Sequence, residues 1–505
     1  MPEANHLQGQ DIQFGISAES LLTPLAMGRV DARNIGQGTP GAVLMARAAR
    51  EVFRVIRGTW PRRPLRILCG PGNNGGDGWA VAALAQEAGW PVTVFSNWPA
   101  ERLKGDARAA ARKALGLGVT MAPLQAVLMP GDAPLIVDAL FGAGLSKPIS
   151  AEVAKVLRGI QENQWDVVAV DLPSGVDGKT GEVMGTACPA QLTVAFHRAK
   201  VGHLLGEGPA LCGSLFVRDI GMTPLPEDAC AVRNCPALWS AQLPYPPKAA
   251  HKYARGGVFV VGGPRHQTGA ARLTAEAAAR AGAGAVILGA APSAIDIYAA
   301  HLTAIMVAKI QNEEDLRDLA QDKRVAAIAI GPGLSLGDQA RAQVLTTCQV
   351  GKPMVIDADG LSLLTSSSSD LFLVLPEICV LTPHEGEFAR IFPDLRGDAL
   401  SRAQAAADRC GRTVLLKGAT TVIASPGRLP ILSTHATPYL ATAGAGDVLT
   451  GIIVSLLAQG LPAHEAAAAG AYIHGDAGIR LGPGLTGDDL SKGLKPTLEM
   501  LSALS

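Results

Sequence analysis

Between Arg66 and about Asp219 the chain alternates short, unbroken apolar runs with stretches of helical length, and it does so again after about residue 250. LRILC (65–69), PVTVFS (91–96), PLIVDAL (134–140), DVVAVDLP (166–173) and LTVAFH (192–197) read as strands. They are continuously apolar and do not alternate with polar residues, as expected of strands covered on both faces. WAVAALAQEAG, GDARAAARKALGLG and SAEVAKVLRGIQENQ lie between them as helices, and GTPGAVLMARAAREVFRVIRG opens this half as an amphipathic one. Strand–helix–strand repeated in this way leads to a parallel sheet with helices on both sides. The second half restarts with GGVFVVGG, AGAVILGA, VAAIAIGPG, KPMVIDADG, EICVLTPHEGE and TVLLKGATTVIA, separated by helical runs such as GAARLTAEAAARAGAG. Residues 221–250 break the pattern with six prolines and no periodicity. At 505 residues the chain exceeds one ordinary core. The expected division is a domain over 1–225, a proline-rich linker over 226–245 and a second α/β domain over 246–505.

Charge and cysteine content narrow the function classes. Lysine plus arginine and aspartate plus glutamate both number 44, so the net charge is zero and no footprint for nucleic acid or an acidic membrane surface is present. Phosphate contacts must then come from local backbone amides. The eight cysteines are scattered and none has zinc-ligand spacing, which reads as reduced structural thiols. Residues 1–20 lack a basic start followed by an apolar stretch, and no apolar segment reaches the ~20 residues of a membrane helix. A soluble, cytoplasmic protein is expected. The serine run at 366–369 is too short to be a low-complexity region.

GPGNNGGDG (70–78) joins the first strand to a helix with five glycines. Successive free N–H groups at a helix start accept a phosphate without a cation, and Gly75 and Gly76 can take backbone angles closed to other residues and allow close approach. The loop fits neither G-x-G-x-x-G nor G-x-x-x-x-G-K-[ST], and a tight strand-to-helix turn is the plain alternative. IVDALFGAGLSKPI places Asp138 at another strand end ahead of a glycine loop with Lys147, and AVDLPSGVDGKTG places Asp171 at a third, followed by Ser174. Carboxyl ends of parallel strands converge on one crevice, so Asn74, Asp138 and Asp171 are expected to face one site. Aspartate, asparagine and a hydroxyl form a hard-oxygen set suited to a monovalent cation or water. Aspartate after a strand is also a common helix cap.

With these motifs, residues 20–220 resemble the NAD(P)H-hydrate epimerase family. The resemblance implies that Asn73, Asn74, Gly75, Gly76 and Asp77, the loop Gly142, Ala143, Gly144, Leu145, Ser146, Lys147 and Pro148, and Asp171 bind hydrated NAD(P)H. It implies a potassium ion held by Asn74, Asp138 and Ser174, with Asp171 as acid/base and Lys147 assisting. The chain departs from the family in its opening helix, where LMARAA (44–49) sets Arg47 and Ala49 in place of the family's asparagine and glycine.

In the second half, TAGAGDVLTGIIVSLLAQG places a small-residue loop before Asp447 at the start of an apolar helix. Free amides and the positive helix end suit charge developing on a transferring phosphate, and Asp447 could deprotonate an attacking hydroxyl. A capped helix after a turn is the other reading. His384 in LTPHEGEF reads on its own as a helix-start histidine satisfied by backbone, and HEGE is not a zinc motif. Lys417 and Gly418 end a strand within reach of a nucleotide phosphate. Together with GPGL, DADGL, LKGATTVI and TAGAGDVLTGII, these stretches over about 250–495 resemble the ribokinase-like superfamily and, more narrowly, the ADP- or ATP-dependent NAD(P)H-hydrate dehydratases. That resemblance implies hydrate binding by Ala270, Gly333, His384 and Asp447. It implies adenine-nucleotide binding by Lys417, Gly418, Ala419, Thr420, Thr421 and Gly446, ADP as co-substrate, magnesium assistance, and Asp447 as base beside an anion hole at 444–446. The expected fold is a Rossmann-like three-layer αβα sandwich followed by a ribokinase-like α/β domain, working on NADHX, NADPHX and ADP and forming a homo-oligomer. The rival reading makes the second domain a vitamin-precursor kinase and the first a binding module without catalysis.

Overall fold

The computed structural model describes residues 18–130, 133–244, 252–364 and 372–503. The start read as lacking a signal peptide (apart from its last few residues), the serine run at 366–369 and the last residue of the expected linker, Tyr245, lie outside the described residues. Two compact units divide between Val232 and Arg233.

The first unit holds a seven-stranded sheet in the order Thr120–Ala122, Val92–Phe95, Leu65–Cys69, Leu135–Ala139, Asp166–Val170, Leu192–Phe196, Ser214–Arg218. Every pairing in it is parallel. The chain winds outward one way from Leu65–Cys69 and then returns to wind the other way from Leu135–Ala139. Between those two strands lies the point where a ligand crevice opens in such sheets. Leu135–Ala139 and Leu192–Phe196 are buried along their whole length, and Asp166–Val170 in all but its first residue, which is why their sequences carry no polar alternation.

The helix after the glycine stretch differs from its sequence reading. It spans Asn73–Glu87, so Asn73 to Asp77 form its opening turns and not a loop, and neither Gly75 nor Gly76 has a positive φ. Their value is clearance. A Cβ on Gly76 would stand 2.5 Å from Met45 Cε and 2.9 Å from Ala107 Cα, and one on Gly78 would stand 2.7 Å from Ala139 Cβ. Glycine disfavours a helix by roughly 1 kcal/mol per residue, and the close seat on the sheet and between helices Gly41–Thr59 and Gly105–Gly116 outweighs that. A further helix, Pro24–Gly36, precedes the one expected to open the unit; Thr23 caps it by accepting from Ala26 N at 3.1 Å.

The span 226–244 is more structured than a tether. Prolines begin the short helical turns Pro226–Asp228 and Pro236–Leu238, and Ala231 and Val232 pair with Ser20 and Leu21. Asp228 receives Arg33 Nη2 at 2.5 Å.

The second unit repeats the same winding: Met306–Lys309, Ala285–Ala290, Gly257–Val261, Val325–Ile330, Met354–Ile356, Cys379–Leu381 and Thr413–Leu416 lie parallel in that order. TVLLKGATTVIA is not one strand. It folds back at Lys417–Thr420 into the antiparallel strand Thr421–Ala424, and Ile431–Ser433 adds a further antiparallel edge. None of the eight cysteines forms a disulfide, and six of them are buried. Among the described residues no helix is long and apolar enough to cross a membrane.

Candidate functional site

In the first unit, Asp171 follows the strand Asp166–Val170 with φ +66°. Leu172 N donates across it to Val170 O at 2.8 Å. That is a γ-turn of the rare, strained kind. The side chain is held on both oxygens: Lys200 Nζ donates to Oδ1 at 2.6 Å and Ala143 N donates to Oδ2 at 2.9 Å. Its carbonyl oxygen accepts from His203 Nε2 at 2.6 Å. The tautomer follows, because His203 Nδ1 accepts from Lys200 N at 2.9 Å and the ring hydrogen must sit on Nε2. Burial, with the nearby Lys200 ammonium, pulls the imidazole down to about 4, so it is neutral at pH 7.

Burial is the largest influence and pushes the Asp171 carboxyl up, but the Lys200 charge, His203, the Lys200 hydrogen bond and the Ala143 amide together outweigh it and hold the group below the ordinary carboxylate range. Asp77 behaves in the opposite way: burial first, then the charges of Asp171 and Asp31, push it well above that range. Asp31, on the helix Pro24–Gly36, is also pushed up by burial. A carboxylate held ionised beside one inclined to keep its proton is the arrangement that divides acid from base.

Beside them, Asp138 is 1% exposed near the end of Leu135–Ala139. Ser174 Oγ donates to Asp138 Oδ1 at 2.6 Å, and Ser174 N donates to Oδ2 at 2.8 Å. Asn74, with its amide oriented to suit both neighbours, donates to Val170 O at 3.1 Å and accepts from Gly142 N at 3.2 Å. A Cβ on Gly142 would stand 2.8 Å from Asp171 Oδ2 and 3.1 Å from Asn74 Cγ, so this glycine lets the loop close over both.

Asn74, Asp77, Gly142, Ala143 and Asp171 thus come together, with Asp138 and Ser174 alongside. Asn73 stands exposed at the helix start, and the loop runs outward from Gly144 to Pro148. Lys147 is exposed there; the ammonium that touches Asp171 belongs to Lys200, which sequence reasoning missed. No local pattern marked it, since Lys200 sits in HRAKVGH (197–203) among other basic residues; lysine is almost never fully buried unless paired, and this one is 2% exposed. Arg47 donates to Ile220 O at 2.9 Å, and Ala49 is buried in the core.

In the second unit the strand ends again gather the motifs. A Cβ on Gly333 would stand 3.2 Å from Ala270 Cβ, which puts the loop after Val325–Ile330 against the helix Thr268–Arg280. Thr274 Oγ1 of that helix donates to Asp447 O at 3.1 Å. Gly444, in the left-handed region, starts the helix Ala445–Ala458, so Ala445, Gly446 and Asp447 are its first turn, where amides lack intrahelical acceptors. Asp447 is half-buried, and its carboxylate has no hydrogen-bond or ion-pair partner among the described residues. Burial, then the charge of Asp357, raise it to about 7.

Lys417 Nζ stands 2.7 Å from Asp357 Oδ1 and 3.9 Å from Glu387 Oε2. His384 caps the helix Glu385–Ile391: its Nδ1 accepts from Gly386 N at 3.0 Å, while Glu387 Oε2 accepts from His384 N at 2.8 Å. The backbone-satisfied reading therefore holds for Nδ1, yet the side chain is 56% exposed, and His384 bridges to Lys417 across the sheet. Gly418 and Ala419 form an exposed turn and Thr420 is buried behind it.

Two family models match the chain: one described as YjeF-related protein N-terminus, over residues 41–202, and one described as NAD(P)H-hydrate dehydratase, over 258–487. A bifunctional NAD(P)H-hydrate repair enzyme Nnr from Coxiella burnetii is 35% identical over 446 residues, covering 86% of this chain and 90% of that protein. Its counterpart from Moorella thermoacetica is 36% identical over 490 residues, covering 91% and 92%. Among solved structures, the ADP/ATP-dependent NAD(P)H-hydrate dehydratase of Bacillus subtilis, co-crystallised with ATP/Mg2+, is 26% identical with a TM-score of 0.45, covering 52% of this chain and 95% of that one.

Proposed function

This chain belongs to the family of bifunctional NAD(P)H-hydrate repair enzymes, and on that premise we propose that it restores hydrated NADH and NADPH with two active sites, one in each unit. The first site interconverts the R and S hydrates, and the second dehydrates the S hydrate with an adenine nucleotide, ADP yielding AMP and phosphate. The observation that carries the reading is Asp447, a carboxylate without a partner of its own at the opening of a helix, beside a lysine already held in an ion pair.

At the first site Asp171, ionised by its contact with Lys200, is the acid/base, and Asp77 is the neighbouring group placed to keep a proton. Asn73 to Gly76 and the loop from Gly142 to Pro148 bind the hydrate, with Lys147 reaching in from the exposed end of that loop. At the second site Asp447 takes the proton of the hydrate's hydroxyl as that oxygen bonds to the terminal phosphorus of the nucleotide and the bond from that phosphorus to the bridging oxygen breaks, ADP leaving as AMP. Amides of the first helical turn and the Lys417 ammonium hold the developing charge. Phosphate then leaves the carbon, a ring proton is lost, and the dihydronicotinamide is restored. Ala270, Gly333 and His384 hold the hydrate; Lys417 to Thr421 and Gly446 hold the nucleotide.

The donor set at Asp138, Ser174 and Asn74 fits potassium. Asp138 is a fully buried carboxylate that receives only neutral donors, and burial pushes it up against them. A monovalent cation there would supply the missing charge and order the loop beside Asp171. Replacing potassium by tetramethylammonium is expected to slow epimerisation and leave dehydration unchanged, and Asp138→Asn should abolish that dependence; equal rates with either ion would refute the assignment. For magnesium, no group of three or more His, Cys, Asp or Glu side chains among the described residues is arranged to hold a metal. That ion is assigned to the nucleotide phosphates, which suits its reluctance to shed water.

The test of the whole reading is recovery of the near-ultraviolet absorbance of NADH from mixed-epimer hydrate with ADP, with ATP and with neither. Full recovery with ADP supports both sites and the donor. Recovery that stops when the S epimer is spent removes the epimerase assignment. No recovery with either nucleotide returns the second unit to the kinase reading.

A further inference from the structure

DADGL matches the dehydratases, but its first aspartate has no role in the reading above. We propose that Asp357 is a positioning residue of the dehydratase, its buried carboxylate fixing the Lys417 ammonium beneath Gly446 so that the leaving phosphate meets a charge already in place. This inference rests on the dehydratase assignment.

Asp357 follows the strand Met354–Ile356 and is 1% exposed. Its backbone is tied at both ends: Asp357 N donates to Ile330 O at 3.2 Å, and its own carbonyl accepts from Gly360 N at 3.0 Å. Its carboxylate spans two elements. Oδ1 receives Lys417 Nζ at 2.7 Å and Oδ2 receives Thr450 Oγ1 at 2.8 Å, the threonine lying one turn into the helix that Asp447 opens. A Cβ on Gly446 would stand 3.5 Å from Lys417 Nζ and 3.7 Å from Asp357 Oδ2, so the ion pair lies directly under the anion-binding turn.

A lysine on its flexible stem must be ordered when it meets a phosphate, and pre-ordering removes that cost from the reaction. The same geometry sets the field at Asp447, which faces Asp357, Asp359 and Lys417. Lys417 in turn faces Asp357, Glu387 and the neutral His474, an imidazole that burial pulls down to about 4.

The experiment uses the full chain with S hydrate and ADP. Asp357→Asn is expected to lower kcat by about 10- to 100-fold, since small misplacements cost that much, with a smaller change in the KM for ADP. Because the charge of Asp357 raises Asp447, the acid limb of the kcat profile should also move to lower pH. Thr450→Val, which keeps the carboxylate, should leave that limb in place. At a pH above the acid limb, where Asp447 is ionised in every variant, Asp357→Asn should add nothing to Lys417→Met in a double-mutant cycle.

Additive losses, or an equal loss at every pH in both the Asn and Val variants, would show a merely structural tie and overturn the proposal. If Asp357→Asn does not fold, as judged by loss of the second unit's thermal transition while epimerisation persists, Asp357→Glu decides. That variant keeps the charge but displaces the ammonium, and unimpaired kcat in it would overturn the proposal equally. A parent enzyme without nucleotide-dependent dehydration would instead refute the dehydratase assignment.

Discussion

An Asp447→Asn enzyme is expected to retain only about one part in 10² to 10⁴ of the wild-type rate of nucleotide-dependent dehydration, the range a positioned general base supplies. The amide keeps the size and position of the carboxylate and removes only its capacity to take a proton, so binding of hydrate and nucleotide should change far less than turnover. In the parent enzyme the carboxyl is raised to about 7, chiefly by burial and then by Asp357. The base is active when ionised; kcat should therefore rise with pH through about 7 and level off above it. Epimerisation in the other unit is the internal control and should not move. A pH-independent kcat, or an Asn variant within a factor of about three of the parent, would remove Asp447 from the chemistry.

The second large effect is confined to the other unit. Asp171→Ala should abolish epimerisation, by about 10²-fold or more, while dehydration of pure S hydrate proceeds unchanged. With mixed hydrate, recovery should then halt when the S epimer is spent. Lys200 becomes a buried cation without its partner in this variant, so a lower melting temperature for the first unit should accompany the lost activity. Loss of both activities together would contradict the assignment of two separate sites.

Much of this was legible in the chain itself, for identifiable reasons. Central strands such as Leu135–Ala139 are buried on both faces, and an unbroken apolar run has few other uses. The edge strands Thr120–Ala122, Ser214–Arg218 and Met306–Lys309 were not legible: they are partly exposed, and their residues answer to solvent as much as to the sheet. Asn73 to Asp77 looked like a loop because asparagine and glycine are poor helix formers, and only the tight seat against Met45 and Ala139 makes a helix there. Asp138 and Asp171 stood out because each ends or follows a strand at a sequence break, and Asp447 because it opens an apolar helix after a small-residue loop. Lys200, His203 and Asp357 act through partners distant in sequence or through backbone carbonyls, and no local pattern announces such contacts.

The turn at Asp171 places chemistry and thermal resistance in competition at one dihedral angle. A side chain at φ +66° costs about 1–3 kcal/mol, and the next strand ends the same way at His197, φ +63°, where Arg198 N donates to Phe196 O at 2.7 Å. Against a total stability of about 5–15 kcal/mol for a domain, two such corners are a substantial fraction. Glycine is the residue the backbone would prefer at either one, and at position 171 it would leave Lys200 unpaired and the hydrate without its acid/base. Selection for heat tolerance alone would therefore erode this site first, and any robust variant of the first unit has to gain its stability elsewhere in the fold.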